Sequence, residues 1–159
     1  MDLTTKYMGL TLKNPLVPSA SPLSKTIGGI RQLEDAGASA ITMYSLFEEQ
    51  IRLEAFTLHD RIEDSRWRYA EHTSFFPEIG EFNRMSDGYL DLIREAKAAV
   101  DVPVIGSLNG VTVGGWIDYA KRIQEAGADA LELNVYLVPT DVTETGLQVE
   151  QVYLDNLHA

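Results

Sequence analysis

Along this chain, short solid runs of apolar residues alternate with longer stretches in which apolar residues recur every three or four positions. The first kind of grouping predicts strands, the second amphipathic helices. Four strands are expected: Leu16–Ser21, after the Asn14-Pro15 turn, then Ala40–Ser45, Val102–Leu108 and Ala130–Val135. Several are unbroken apolar runs, as expected of strands covered on both faces or closing a barrel. Helices are expected between them. Thr26–Ala36 carries Ile30 and Leu33 on one side, and Thr112–Ala126 aligns Trp116, Tyr119, Ala120 and Ile123. Ser86–Val100 opens with Ser-Asp capping chemistry and spaces Leu90, Ile93, Ala96 and Val100 along one face. A last helix, Leu147–Leu157, would turn Val149, Val152 and Tyr153 inward.

The chain also echoes itself. Glu34-Asp35-Ala36-Gly37-Ala38-Ser39-Ala40-Ile41 returns as Gln124-Glu125-Ala126-Gly127-Ala128-Asp129-Ala130-Leu131. In both copies an amphipathic stretch ends at a glycine and a short apolar run follows. Glycine just past a helix supplies a left-handed residue, and the flanking alanines let helix and strand backbones approach. The repeated unit is the close of a helix passing directly into a strand.

Strand and helix in alternation imply parallel strands joined by right-handed crossovers. The expected fold is therefore α/β, of the (β/α)8 TIM-barrel kind, cut to a half-barrel of about four βα units. Residues 1–159 form a single incomplete barrel domain in this reading, because a full barrel takes eight strands and ~250 residues. An excursion of mixed character, about 46–84, interrupts the alternation; a lid and a helical insertion that only packs are both open for it. Half a barrel leaves two unpaired strand edges, which invites association with another copy.

Composition narrows the function. There are 24 acidic and 13 basic side chains, a formal charge of −11. Such a surface repels phosphate backbones and anionic lipid, so neither nucleic acid nor membrane is an expected partner. No signal peptide and no run of ~20 apolar residues stands out, and a cytoplasmic location is expected. Cysteine is absent, which excludes disulfides, thiolate metal sites and a cysteine nucleophile. His59, His72 and His158 lack metal-ligand spacing and are expected at the surface, with no metal site.

Parallel barrels bind ligands where the carboxyl ends of their strands converge. Polar groups there are Ser19-Ala20-Ser21 after the first strand, Tyr44-Ser45 after the second and Ser107 in the third. Glu48 and Glu49 are expected to face water at a helix start, and Asn109-Gly110 to form a tight turn. In the fourth strand Glu132 and Asn134 alternate with Leu131, Leu133 and Val135, so both point to the side opposite the leucines. If the leucines lie under helices, the two polar groups enter the barrel, where Asn134 needs a partner and Glu132 suits a structural network.

Two segments carry a family resemblance. Leu12-Lys13-Asn14-Pro15-Leu16-Val17-Pro18-Ser19-Ala20-Ser21-Pro22 resembles the opening strand of dihydroorotate dehydrogenases. Glu125-Ala126-Gly127-Ala128-Asp129-Ala130-Leu131-Glu132-Leu133-Asn134-Val135 is similar to that family's fourth strand. The likeness runs from about Tyr7 to Asp141. It implies an oxidoreductase of pyrimidine biosynthesis that uses FMN and acts on a CH–CH bond beside a carbonyl of a small dihydropyrimidine-like substrate. It further implies that Ser19, Ala20, Ser21, Ser45 and Ser107 line the flavin, and that Asn134 bridges flavin and substrate.

Departures from the family pattern are as specific. Tyr44 stands where the family carries a lysine, and Gly80-Glu81-Phe82-Asn83 is a faint counterpart of its substrate loop. The base position falls on Leu137 or Val138, neither of which accepts a proton, so the catalytic residue is unknown. The family's later phosphate-binding loops have no counterpart, so a fragment inactive alone is expected. Two other readings stand beside this one: a non-flavin barrel lyase or synthase sharing only the helix-to-strand joint, and a non-catalytic half-barrel that self-associates.

Overall fold

The computed structural model describes residues 1–49, 85–110, 117–135 and 137–158. The chain opens with an antiparallel hairpin, β1 (Thr5–Tyr7) and β2 (Leu10–Leu12), that the apolar pattern does not announce. Its turn residues Met8 and Gly9 have φ of 49° and 77°, the mirror-image turn that suits the twist of a two-stranded ribbon. A 3-10 turn at Pro22–Lys25 leads into α1 (Ile27–Asp35), capped by the Thr26 hydroxyl, which accepts from Gly29 N–H.

Then follow β3 (Ile41–Thr42), β4 (Leu46–Phe47), α2 (Met85–Ala99), β5 (Val104–Gly110), α3 (Ile117–Glu125), β6 (Ala130–Val135) and α4 (Gly146–His158). β5 is central and every pairing to it is parallel. β6 takes one edge, from Ile105↔Ala130 to Gly110↔Val135. β3 and β4 share the other edge, with Thr42↔Ile105 and Leu46↔Leu108. Four residues on one strand thus match three on its neighbour, and the expected second strand is a single strand interrupted by a one-residue bulge at 43–45.

The α/β class and the parallel sheet are as the alternation predicts. The expected fourth strand coincides with β6, and the third begins and ends two residues later than expected. The helix faces also agree: Ile30, Leu90, Ile93, Ala96 and Ile123 are buried against the outer side of the sheet with Val104 and Leu108. Leu131 and Leu133 pack on this same side. The expected insertion, from residue 50 on, and Trp116 lie outside the described residues.

Four expectations are corrected. Leu16–Ser21 joins no strand ladder among the described residues. Prolines 15, 18 and 22 bring no N–H to a ladder, Leu16 N–H is taken by Asn14 Oδ1 at 2.8 Å, and the Leu16 side chain is 65% exposed. Asn109 and Gly110 are the last residues of β5, paired with Asn134 and Val135, not a tight turn. Glu48 and Glu49 do stand at a helix start and Glu49 faces water, but Glu48 is buried. Among the described side chains of α4 only Val149 and Val152 are half-buried, while Tyr153 is exposed with Leu147, Leu154 and Leu157. The helix turns that side away from the rest of the described chain.

Candidate functional site

Strand alternation divides β5 and β6 into two faces. Val104, Leu108, Leu131 and Leu133 meet the helices, whereas Ile105, Ser107, Asn109, Ala130, Glu132 and Asn134 face the opposite way. This inner face has two levels. At the amino end, Ala40, Ile105 and Ala130 form an apolar patch on which Leu12 of the hairpin sits, with Leu10 and Val17 beside it. Towards the carboxyl end the inner face becomes polar.

The polar level is a connected network. Ser107 Oγ donates to Glu132 Oε1 at 2.9 Å, and Asn134 Nδ2 donates to the same oxygen at 3.1 Å. Asn134 Nδ2 also lies 3.4 Å from Ser107 Oγ. Ser45 Oγ is 2.9 Å from Ser107 Oγ. Because the single Ser107 hydroxyl proton is committed to the carboxylate, Ser45 is the donor in that pair. The direction of hydrogen bonding is therefore fixed, from Ser45 through Ser107 to Glu132. Ser107 is fully buried and forms its hub.

The bulge is what admits Ser45. Strict alternation from the inward Thr42 would bring residue 44 inward. The extra residue shifts the phase, so Ser45 faces Ser107 and Leu46 returns to the apolar side with Leu108. Tyr44 is left beside the sheet, its ring edge-on to Tyr89 at 5.0 Å and 89°. Lys25, from the 3-10 turn, places its ammonium 5.3 Å from the Tyr44 ring. Burial raises the phenol pKa of Tyr44 and, more strongly, that of Tyr89, so both hydroxyls stay protonated through the neutral range.

Asn109 completes the rim. Its residue is 9% exposed and its Oδ1 has no hydrogen-bond partner among the described residues. A buried carbonyl oxygen without a donor is costly, and at the edge of a polar network it is an acceptor set for an incoming N–H. Sequence reasoning missed it, because Asn-Gly composition also describes a turn. It also missed Tyr89, whose spacing on α2 is that of an ordinary helix-face residue.

The structure brings together four of the residues the sequence singles out: Ser45, Ser107, Glu132 and Asn134. Ser19, Ala20 and Ser21 lie on the irregular segment before the 3-10 turn and make no hydrogen bond to the network. Ser19 is exposed, and the Ser21 carbonyl accepts from Ser24. Leu137 is half-buried and Val138 exposed, so the position of the family's base remains apolar. His158 is exposed, while His59, His72, Tyr136 and the 80–83 segment lie outside the described residues. Among the described residues no group of His, Asp and Glu could hold a metal ion, and no helix is long and apolar enough to cross a membrane.

No family model matches the chain. Individual proteins do. It is 29% identical over 137 residues to the dihydroorotate dehydrogenase B (NAD(+)) catalytic subunit of Halalkalibacterium halodurans, a match covering 84% of this chain and 41% of that protein. The catalytic subunit of the same name from Thermoplasma acidophilum is 28% identical over 135 residues, with the same coverage of each chain. That of Methanocella arvoryzae is 31% identical over 135 residues, covering 85% of this chain and 41% of its own length. The chain thus spans about two fifths of the length of the curated relatives it matches. Its resemblance to the dihydroorotate dehydrogenase-like family, first carried by the Leu12–Pro22 and Glu125–Val135 motifs, extends over most of its own length and over part of each relative.

Proposed function

We propose that this chain forms the first βα units of an FMN-dependent oxidoreductase of the dihydroorotate dehydrogenase-like kind. It is read as one incomplete barrel domain, residues 1–159, whose parallel strands belong to a TIM barrel. The reaction is oxidation of a CH–CH bond next to a carbonyl in a small dihydropyrimidine-like substrate, in pyrimidine metabolism and in the cytoplasm. The chain by itself is read as inactive, because Leu137 and Val138, at the position of the family's base, accept no proton.

One observation supports this most. Ser45, Ser107, Glu132 and Asn134 come from three adjacent parallel strands and meet in one hydrogen-bonded set that runs from mid-strand towards the carboxyl ends, with the unpaired Asn109 Oδ1 beside them. Ligands of parallel α/β sheets bind at that end. The residues present fit a planar heterocycle: Asn109 Oδ1 offers an acceptor to a ring N–H, and the side-chain oxygens of Asn134 and Ser45, whose protons are spent within the network, offer further acceptors. When bound, FMN supplies the hydride acceptor. Ser45 and Asn134 would orient the ring, and Ser19, Ala20 and Ser21 would close its edge. The Ser107–Glu132 pair holds the amide of Asn134 at a fixed angle. Glu132 accepts two hydrogen bonds and is read as a structural anchor of the network.

Titrating FMN with the purified chain and following flavin fluorescence tests this reading. Quenching and a shifted flavin absorption band are expected, and Asn134→Ala is expected to weaken binding by about tenfold, the size of one good hydrogen bond to a ligand. An unchanged flavin spectrum at every protein concentration would overturn it.

A further inference from the structure

The bulge that admits Ser45 leaves a hole in the sheet. Met43 N–H still reaches Ile105 O at 2.9 Å, and pairing resumes at Leu108. Between these points the main chain of Ser107 faces the bulge, where the regular ladder is interrupted, although the residue is fully buried. A buried peptide group with no partner is among the costlier defects a fold can carry.

The Tyr89 hydroxyl fills the hole. It accepts from Ser107 N–H at 2.9 Å and donates to Ser107 O at 3.1 Å. A phenol can do both at once, as a peptide rung would. Tyr89 belongs to α2 on the outer side of the sheet, is fully buried, and has its ring braced by Tyr44. One helical side chain therefore reaches through the bulge and grips the residue whose own hydroxyl is the hub of the inner network.

We propose that Tyr89 is a positioning residue of the candidate site, acting through Ser107: its hydroxyl replaces the missing strand rung and fixes the Ser107 side chain between Ser45, Glu132 and Asn134. This rests on reading that network as the ligand site. The bulge and Tyr89 form one device, since the first gives Ser45 access and the second repairs the gap.

Two measurements on the full chain test it. By amide hydrogen exchange, Tyr89→Phe should speed exchange at Ser107 by about tenfold or more, while Val104, whose N–H is held by Asp129, keeps its protection. By FMN titration, Tyr89→Phe should weaken binding several-fold, and should add nothing in a Ser107→Ala background, because the two changes remove one pathway. Unchanged exchange at Ser107, equal loss along all of β5, or additive effects on FMN affinity would each overturn the proposal. Failure of the unaltered chain to bind FMN removes the ligand reading and the positioning role together, while the exchange result still shows separately whether the rung exists. Should Tyr89→Phe not fold, the unaltered protein decides. A slowly exchanging phenol proton with a through-space cross-peak to the Ser107 amide is required, and its absence defeats the idea.

Discussion

The two copies of the helix-to-strand joint share a backbone and differ in what they hold. In the first, Gly37 has φ 102°, its N–H donates to Glu34 O, and Ala38 N–H donates to Leu33 O. In the second, Gly127 has φ 99° and the matching bonds run to Gln124 O and Ile123 O. Two residues past each glycine, a backbone N–H reaches the preceding segment: Ser39 to Leu16 O at 2.9 Å, Asp129 to Val104 O at 2.8 Å. There the copies part. Asp129 Oδ2 also accepts from Val104 N–H at 2.7 Å and pairs with Lys97, closing both sides of that peptide position. Ser39 directs its hydroxyl to the same Leu16 carbonyl, at 2.9 Å, and leaves Leu16 N–H to Asn14. The next donor along, Ile41 N–H, goes to Pro103 O instead. Val104 starts a full strand, and Leu16 starts none. A carboxylate at this position can bind the N–H of its neighbour, which a serine hydroxyl already spent on the carbonyl does not.

Changes at the two joints should separate what is shared from what is not. The largest effect is expected from Asp129→Ala, which strips the acceptor from Val104 N–H and should destabilise the fold by about 2–3 kcal/mol in urea unfolding, the range of a hydrogen bond to a charged group. A loss no greater than that of Ser39→Ala would erase the contrast. Next come Gly37→Ala and Gly127→Ala, each expected to cost about 1–2 kcal/mol for a left-handed backbone with a Cβ. No neighbouring atom lies within 4 Å of a Cβ at Gly37, and only Lys97 Cγ, at 3.7 Å, meets one at Gly127. The two costs should therefore agree, and a marked inequality would show that the joints are not equivalent. Ser39→Ala should cost about 1 kcal/mol, one neutral hydrogen bond, and should expose the 16–21 segment to protease before the sheet unfolds. The smallest change is expected from Lys97→Met, about 0.5 kcal/mol, because both partners of that ion pair are partly solvated. High salt should shrink the Lys97 effect further and leave Asp129→Ala nearly unchanged.

Much of this was legible in the sequence, for physical reasons that differ by region. Ala130–Val135 was readable because its leucines and polar residues keep strict alternation, and the joints because glycine between alanines has few other uses. The Leu16–Ser21 run misled because its apolar content suits a strand while its prolines cannot join a ladder. In the candidate site, Ser45 and Ser107 were legible from their place near the expected strand ends, and Glu132 and Asn134 from their alternation with leucines. Tyr89 was not, since only pairing register reveals the gap its hydroxyl fills. Asn109 looked like a turn residue because local composition says nothing about how far a neighbouring strand continues.

The hairpin seated on Ala40, Ile105 and Ala130 gives the inner face a direction. Leu12 covers its amino end with hydrocarbon, while the hydroxyl, carboxylate and amide groups of Ser107, Glu132 and Asn134 gather further along the strands. The same sheet surface is thus greasy where it starts and wet where it ends, a gradient laid down by one leucine of a three-residue strand.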